Sequence, residues 1–236
     1  MIASRTADEI ERRLRATGTP ERADLERRYL KSGLEHVGAT VPQVRREARA
    51  AARAVSSRCE LMALVDALWA HPVHERRACA AFLLHARVDL LGPGDVVLLE
   101  RLVRDSRTWA LVDVLAGNAL GTLLVRRPDA TPWIDAWASD GDFWVRRAAL
   151  LSQLEPLKAA APFARMARYA DAMLDEREFF IRKAIGWVLR ETSKRRPREV
   201  YDWLLPRARR ASGVTMREAT KYLSPEQRDA LLAARG

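Results

Sequence analysis

The chain has 236 residues, 48% of them hydrophobic, with eleven glycines and eleven prolines. This length and composition exclude a disordered or collagen-like chain and allow a sizeable buried core. The formal net charge of +10, with only five lysines among 41 cationic residues, favours a polyanionic partner because arginine binds phosphate through a bidentate fork.

No segment has the pattern of a signal peptide or a membrane span. The N-terminus lacks an apolar stretch, and no run of 18 apolar residues is free of charge. Cys59 and Cys79 lack the spacing of a metal site, so we expect two buried thiols in a reducing cytoplasm. A genome that favours arginine codons would explain the arginine-to-lysine ratio, but not the excess of positive charge.

Helical periodicity runs along the whole chain. Apolar residues recur every three or four positions, as in the stripe Ile181, Ala184, Ile185 and Val188. The breaks fall, in chain order, at TGTP, HPV, GPGD, RPDATP, SDGD, RRPRE and SGV. They predict about a dozen helices of roughly 8 to 18 residues and an all-α fold.

A short basic triplet repeats along these helices. It occurs as Arg76-Arg77-Ala78, Arg146-Arg147-Ala148, Arg182-Lys183-Ala184 and Arg217-Glu218-Ala219, with starts 70, 36 and 35 residues apart. A period of 35 to 36 with one unit missed is typical of stacked helix pairs. We therefore predict an α-solenoid of HEAT-like repeats over residues 1–236, a single domain with a curved, basic concave face.

The missing triplet falls near residues 111–113, where the sequence has Leu-Val-Asp. Asp113 follows Trp109 by four residues, so the two share a helix face. Lys183, Trp187 and Arg190 share another face, at spacings of four and three. These residues could form one functional surface. Alternatively, Asp113 could pair with a nearby residue, the tryptophans could pack in the core, and the basic residues could simply be solvated.

No pattern of a cofactor site accompanies these residues. The four histidines show no ligand spacing, and the chain has no nucleotide-binding loop and no recognisable Ser/His/Asp set. If the protein is an enzyme, we expect it to work without a metal or a nucleotide cofactor.

These segments resemble the AlkD family of bacterial DNA alkylation repair glycosylases from about residue 20 to 223. The segment TWALVDVLAGNALG is similar to the family's Trp-x-x-x-Asp catalytic helix, and FFIRKAIGWVLRE is the most specific match. FWVRRAALLSQL resembles the segment with an active-site arginine, YLKSGLEHVGATVPQVRR an N-terminal Tyr-x-Lys segment, and MREATKYL the closing segment. His36 departs from the family, many members of which carry an aromatic residue there.

The resemblance implies a glycosylase that excises cationic N3- or N7-alkylpurines from duplex DNA without base flipping, with bulky adducts tolerated. It implies sugar-facing roles for Asp113, Trp109 and Trp187. The residues that it implies for DNA binding are Arg147, Tyr29, Lys183, Arg190 and Arg217. We expect a cytoplasmic, nucleoid-associated bacterial monomer with no membrane contact.

Three other functions stay open at this point. A non-catalytic repeat module could bind damaged or branched DNA, and a protein scaffold could bind a partner helix or an acidic peptide. A variant of the glycosylase could remove adducts made by its producer's own natural product.

Overall fold

The structure is a computed structural model that describes residues 2–236. Within these residues every regular element is helical, and the only pairing of β type is an isolated bridge between Glu35 and Val73. The predicted all-α fold class is therefore confirmed. The chain forms two compact units, one ending at Leu123 and the other spanning Leu124–Gly236. The assignment of a single domain stays a prediction.

The first unit is built from helices whose starts carry side-chain caps. Thr19, Thr40 and Ser57 each accept a hydrogen bond from a backbone N–H in the first turn of the helix that follows. The helices are α1 (Ile2–Thr17), α2 (Pro20–Leu30), α3 (Val41–Ala54), α4 (Arg58–Trp69), α5 (His74–Ala86), α6 (Val96–Ser106) and α7 (Trp109–Asp113). The predicted breaks at TGTP, HPV and GPGD all separate helices.

α7 continues without a break into a π-helical segment, Val114–Leu120, and then into α8 (Gly121–Arg126). By length and composition alone, Trp109–Arg126 is apolar enough to cross a membrane. Most of its apolar side chains are buried in the protein, with Leu111, Val112 and Leu115 completely inaccessible to solvent. The apolar character of this helix is therefore accounted for by core packing.

The second unit contains the helix stripe expected from the sequence. Ile181, Ala184, Ile185 and Val188 are all fully buried, as their spacing predicted. The helices are α9 (Thr131–Trp137), α10 (Phe143–Leu151), α11 (Leu154–Lys158), α12 (Ala164–Met173), α13 (Phe179–Ser193), α14 (Pro197–Leu204), α15 (Gly213–Ala219) and α16 (Pro225–Arg235). Several are only five to seven residues long, shorter than the sequence led us to expect.

The repeat period is visible in the polar contacts between helices. Arg101 bonds Asp66 and Lys183 bonds Glu218, both pairs being 35 residues apart. The Trp69 indole donates to Asp105, 36 residues further along the chain. Residues one period apart therefore lie side by side within each unit, as stacked helix pairs require.

Three arginines of the triplets hold the loop in front of their own helix. Each guanidinium donates to a backbone carbonyl six residues earlier. The bond satisfies an acceptor of the loop that precedes the helix. The bonds run from Arg77 to His71, from Arg146 to Asp140 and from Arg182 to Glu176. Arg77 is therefore the structural equivalent of Arg146 and Arg182, whereas the sequence pattern had aligned Arg76 with them.

The prediction of two buried thiols is correct for Cys79 and wrong for Cys59. Cys79 is buried, and burial raises the pKa of its thiol to about 12. Cys59 is exposed because it lies in the first turn of α4, whose buried residues begin at Leu61.

Gly186 provides a test of the packing between α13 and α15. An added Cβ would lie 2.7 Å from Glu218 Cβ and 3.1 Å from Thr215 Cα. Gly186→Ala should lower the free energy of unfolding by about 1–3 kcal/mol, as overpacked cores do. Urea denaturation measures the change.

Gly141→Ala is the matched control, because a Cβ at that position meets nothing within 4 Å. We expect its midpoint to stay close to that of the wild type. Equal midpoints for all three proteins would show that α13 and α15 are not in close contact.

Candidate nucleic-acid interface

Trp109 and Asp113 open and close the short helix α7. Both side chains are half-buried, whereas Leu111 and Val112 between them are fully buried. The four-residue spacing therefore places the indole and the carboxylate on the accessible side of one helix, as expected from the pattern. Asp113 also makes an interaction within the protein.

The π-helical segment begins directly after Asp113, at Val114. Such wide turns are rare and occur mostly as short insertions, frequently at functional sites. Here the small residues Ala116, Gly117 and Ala119 line the buried side of the segment. The irregular turn therefore adjoins the candidate carboxylate.

Tyr29 approaches Trp109 from α2. Their ring centroids are 5.9 Å apart and their planes are nearly perpendicular, which is the favourable edge-to-face arrangement. Tyr29 is 72% exposed, although it makes this contact. The structure therefore brings together three of the predicted residues in the first unit: Tyr29, Trp109 and Asp113.

Arg147 is buried, which excludes the alternative that it is a solvated basic residue. It is only 2% exposed, and its guanidinium donates to the carbonyl of Phe180 and lies 5.8 Å from the centre of that ring. In this arrangement Arg147 joins α10 to α13 within the second unit.

The predicted face of α13 is accessible to solvent. Lys183, Trp187 and Arg190 are all half-buried, so their spacing correctly placed them on one side of the helix. Both cations bond Glu218 of α15, with Lys183 Nζ lying 3.2 Å from its carboxylate. Lys221 makes a third contact with Glu218, at 3.3 Å.

Glu218 is therefore the centre of a basic cluster. Burial alone would raise the pKa of this carboxyl, but hydrogen bonds from Lys183 and Lys221 and the charge of Arg190 outweigh burial and lower the pKa. Arg217, the neighbouring residue in α15, is exposed. The sequence pattern identified Lys183 and Arg190 as candidate site residues but gave no role to the Glu218 carboxylate that groups them.

Part of the positive charge is used inside the protein. Arg196 donates to the carbonyls of Leu157 and Ala161, and Arg207 pairs with Asp171. The basic runs at residues 194–199 and 207–210 therefore include arginines that tie helices together. The net charge overstates the number of cations that are available to a polyanion.

The structure also gathers residues that no sequence spacing indicated. Glu26, His36 and Glu75 come from three segments, and their ligand atoms lie within 4.8 Å of one another. His36 stacks on His74, and burial, together with the charge of His36, lowers the pKa of His74 to about 3. Because 10 and 39 residues separate the three members, a linear motif could not have identified them.

The fold is that of a helical-repeat protein whose first unit presents a tryptophan and an aspartate and whose second unit presents a cluster of basic residues. Residues 10–223 match the model of a family described as DNA alkylation repair enzyme. The chain belongs to this family, which confirms the resemblance noted in the sequence. No curated protein matches the chain.

Two solved structures are similar to this chain in fold. A predicted DNA alkylation repair enzyme from Enterococcus faecalis is 25% identical, with a TM-score of 0.80 over 89% of this chain and 98% of that one. AlkD2 from Streptococcus mutans is 19% identical, with a TM-score of 0.60 over 76% of this chain and 90% of that one. The second likeness concerns the fold alone.

The basic cluster generates a prediction about stability. Glu218→Gln removes the charge that holds Lys183, Arg190 and Lys221 together, and it should lower the free energy of unfolding by about 2 kcal/mol at neutral pH. The difference should shrink as the pH falls below 4.5, because the wild-type carboxyl, whose pKa is lowered by folding, then loses its advantage. Urea denaturation at several pH values measures it.

Asp202→Asn is the control, since it breaks an exposed ion pair with Arg198 and should cost less than about 0.5 kcal/mol. Equal losses for both variants would contradict the central role of Glu218.

Proposed function

We propose that the protein is a DNA glycosylase that releases cationic N3- or N7-alkylpurines from duplex DNA. Its membership of the DNA alkylation repair enzyme family supports action on alkylated DNA. The observation that carries the reaction type is the accessible pair of Trp109 and Asp113, which flanks the fully buried Leu111 and Val112 on one helix.

The chemistry requires no general acid on the base. Alkylation gives the purine a positive charge, so it leaves as a neutral base with the electrons of the N-glycosidic bond. The deoxyribose then approaches an oxocarbenium ion, and water adds at C1′ and loses a proton to the solvent. The Asp113 carboxylate would stabilise the cationic sugar and orient this water.

The attraction between a carboxylate and a cationic sugar is large enough to change the rate of the reaction. At about 4 Å and an effective dielectric constant of about 20, two unit charges attract by about 4 kcal/mol. This corresponds to roughly a thousandfold in rate. It is an upper bound, because the positive base of the substrate is also attracted before the bond breaks.

The aromatic residues provide the surroundings of the sugar in this proposal. Trp109 lies one turn before Asp113, and indole faces attract cations. Tyr29 supports the Trp109 ring from its edge. In the second unit, Trp187 lies on α13 between Lys183 and Arg190, and we assign it to the sugar of the bound strand.

The DNA backbone is assigned to the accessible cations. Arg217 is exposed, whereas Lys183 and Arg190 can contact phosphate from the cluster around Glu218. Arg147 is buried against Phe180, so its contact with phosphate requires its guanidinium to turn outward.

We further propose that the base stays in the duplex. Enzymes that extrude a nucleotide enclose the base in a pocket, whereas Trp109 and Asp113 lie on the outer side of a helix. A reaction directed at the sugar places no limit on the size of the alkyl group.

Asp113→Asn tests the proposal directly. The variant should keep its circular dichroism spectrum and its affinity for duplex DNA, and it should release N7-methylguanine up to about a thousandfold more slowly. Single-turnover release from a duplex with one such lesion measures this rate.

Asp66→Asn is the control, because this exposed carboxylate pairs only with Arg101 among the described ion pairs. It should release the base at the wild-type rate. Unchanged release by Asp113→Asn would refute the assignment. DNA binding without release by the wild type would favour a non-catalytic module.

The phosphate contacts predict a steep dependence of DNA affinity on salt. Affinity should fall strongly between about 50 and 200 mM salt, and Arg217→Ala should reduce the slope of log affinity against log salt by about 0.9. Arg198→Ala is the control, since Arg198 is 81% exposed but lies outside the proposed contacts. A flat salt dependence, or the same change of slope in both variants, would contradict these assignments.

A further inference from the structure

The first unit contains a cluster of potential metal ligands away from α7. Glu26 belongs to α2, His36 to the loop between α2 and α3, and Glu75 to α5. Each offers one ligand atom, and these atoms lie within 4.8 Å of one another. One imidazole and two carboxylates form a donor set that suits divalent transition metals.

His36 is the member whose surroundings point most clearly to a ligand. It is 8% exposed, and both of its ring nitrogens are buried without a hydrogen-bond partner. Buried polar atoms are almost always satisfied, because leaving one unpaired costs free energy. The ring stacks on His74 at 4.5 Å, which fixes its plane but satisfies neither nitrogen.

Glu75 supplies a buried carboxylate to the same cluster. It is 1% exposed and accepts hydrogen bonds from the backbone N–H groups of Val37 and Gly38. Among the ion pairs of residues 2–236, none involves Glu75. A buried carboxylate is costly unless a cation or a metal ion compensates it.

Glu26 and a nearby groove complete the arrangement. One carboxylate oxygen of Glu26 pairs with Arg22, and the other is not used in that pair. A groove of about 490 Å³, whose lining includes Asp24, Glu35 and His36, opens to solvent beside the cluster. An ion could therefore reach His36 from outside.

We propose that Glu26, His36 and Glu75 form a binding site for one divalent transition-metal ion, with Zn²⁺ as the best fit. Water would fill the remaining coordination position, since three protein ligands leave one open in a tetrahedral site. The site is distinct from the Trp109–Asp113 pair and does not rest on the proposed glycosylase activity.

The position of the cluster indicates what the ion does. α2 has no fully buried residue, so little apolar packing holds it in place. The adjoining loop is attached to the start of α5 by the bond from the N–H of His74 to the carbonyl of Glu35, 2.8 Å long. A metal ion would tie α2 to this loop and to α5, and it would thereby fix Tyr29, three residues after Glu26.

Metal binding to the tag-free, chelator-treated full-length chain tests this proposal. We expect calorimetry to show one saturable Zn²⁺ site per chain, and the melting temperature to rise with Zn²⁺ concentration, as binding to the native state requires. Mg²⁺ at the same concentration should leave the melting temperature unchanged. Absence of a saturable Zn²⁺ site in the wild type would overturn the proposal.

Two ligand variants locate the site. Glu26→Gln, a half-buried position on α2, and His36→Gln should each weaken Zn²⁺ binding by at least about tenfold. His71→Gln removes an exposed histidine outside the cluster and should bind as the wild type does. Glu26→Gln decides the matter if His36→Gln does not fold, and a smaller loss in Glu26→Gln would overturn the proposal. Base release from alkylated DNA is not part of either readout.

Discussion

The helix that starts at Trp109 has to serve two opposed purposes. Leu111, Val112 and Leu115 must be withdrawn completely from water, because burial of apolar surface is the main stabilising contribution of a core helix. Under the proposed function, Asp113 must meanwhile stay charged and accessible at the edge of the same core. The helix meets both demands by a stripe of apolar side chains on one side and a half-buried tryptophan and aspartate on the other.

The arginines show how a basic repeat protein divides its charge. Those at the starts of the repeats bond backbone carbonyls of the preceding loop, and others pair with acids about 35 residues away. These residues hold the stack of helices together. The cations around Glu218 differ, because one carboxylate groups several of them at an accessible surface. Under the proposed function, DNA binding therefore depends on a subset of the cations.

The sequence predicted the features that depend on local spacing. The period of 35 to 36, the stripe on α13 and the shared face of Trp109 and Asp113 follow from helix geometry. It could not predict the burial of Arg147 or the gathering of charge around Glu218, since each depends on which helices pack together. The cluster of Glu26, His36 and Glu75 could not be predicted either, because its members come from three segments that only the fold brings together. Cys59 was misplaced because its side chain belongs to the exposed first turn of α4.

In the proposed reaction, a carboxylate stabilises a sugar that becomes cationic as the base departs. The most direct measurement is the secondary deuterium isotope effect at C1′ of the alkylated nucleotide, under single-turnover conditions in which bond cleavage limits the rate. We expect the deuterated substrate to react more slowly, because C1′ becomes trigonal before water adds. Equal rates for the two substrates would contradict it.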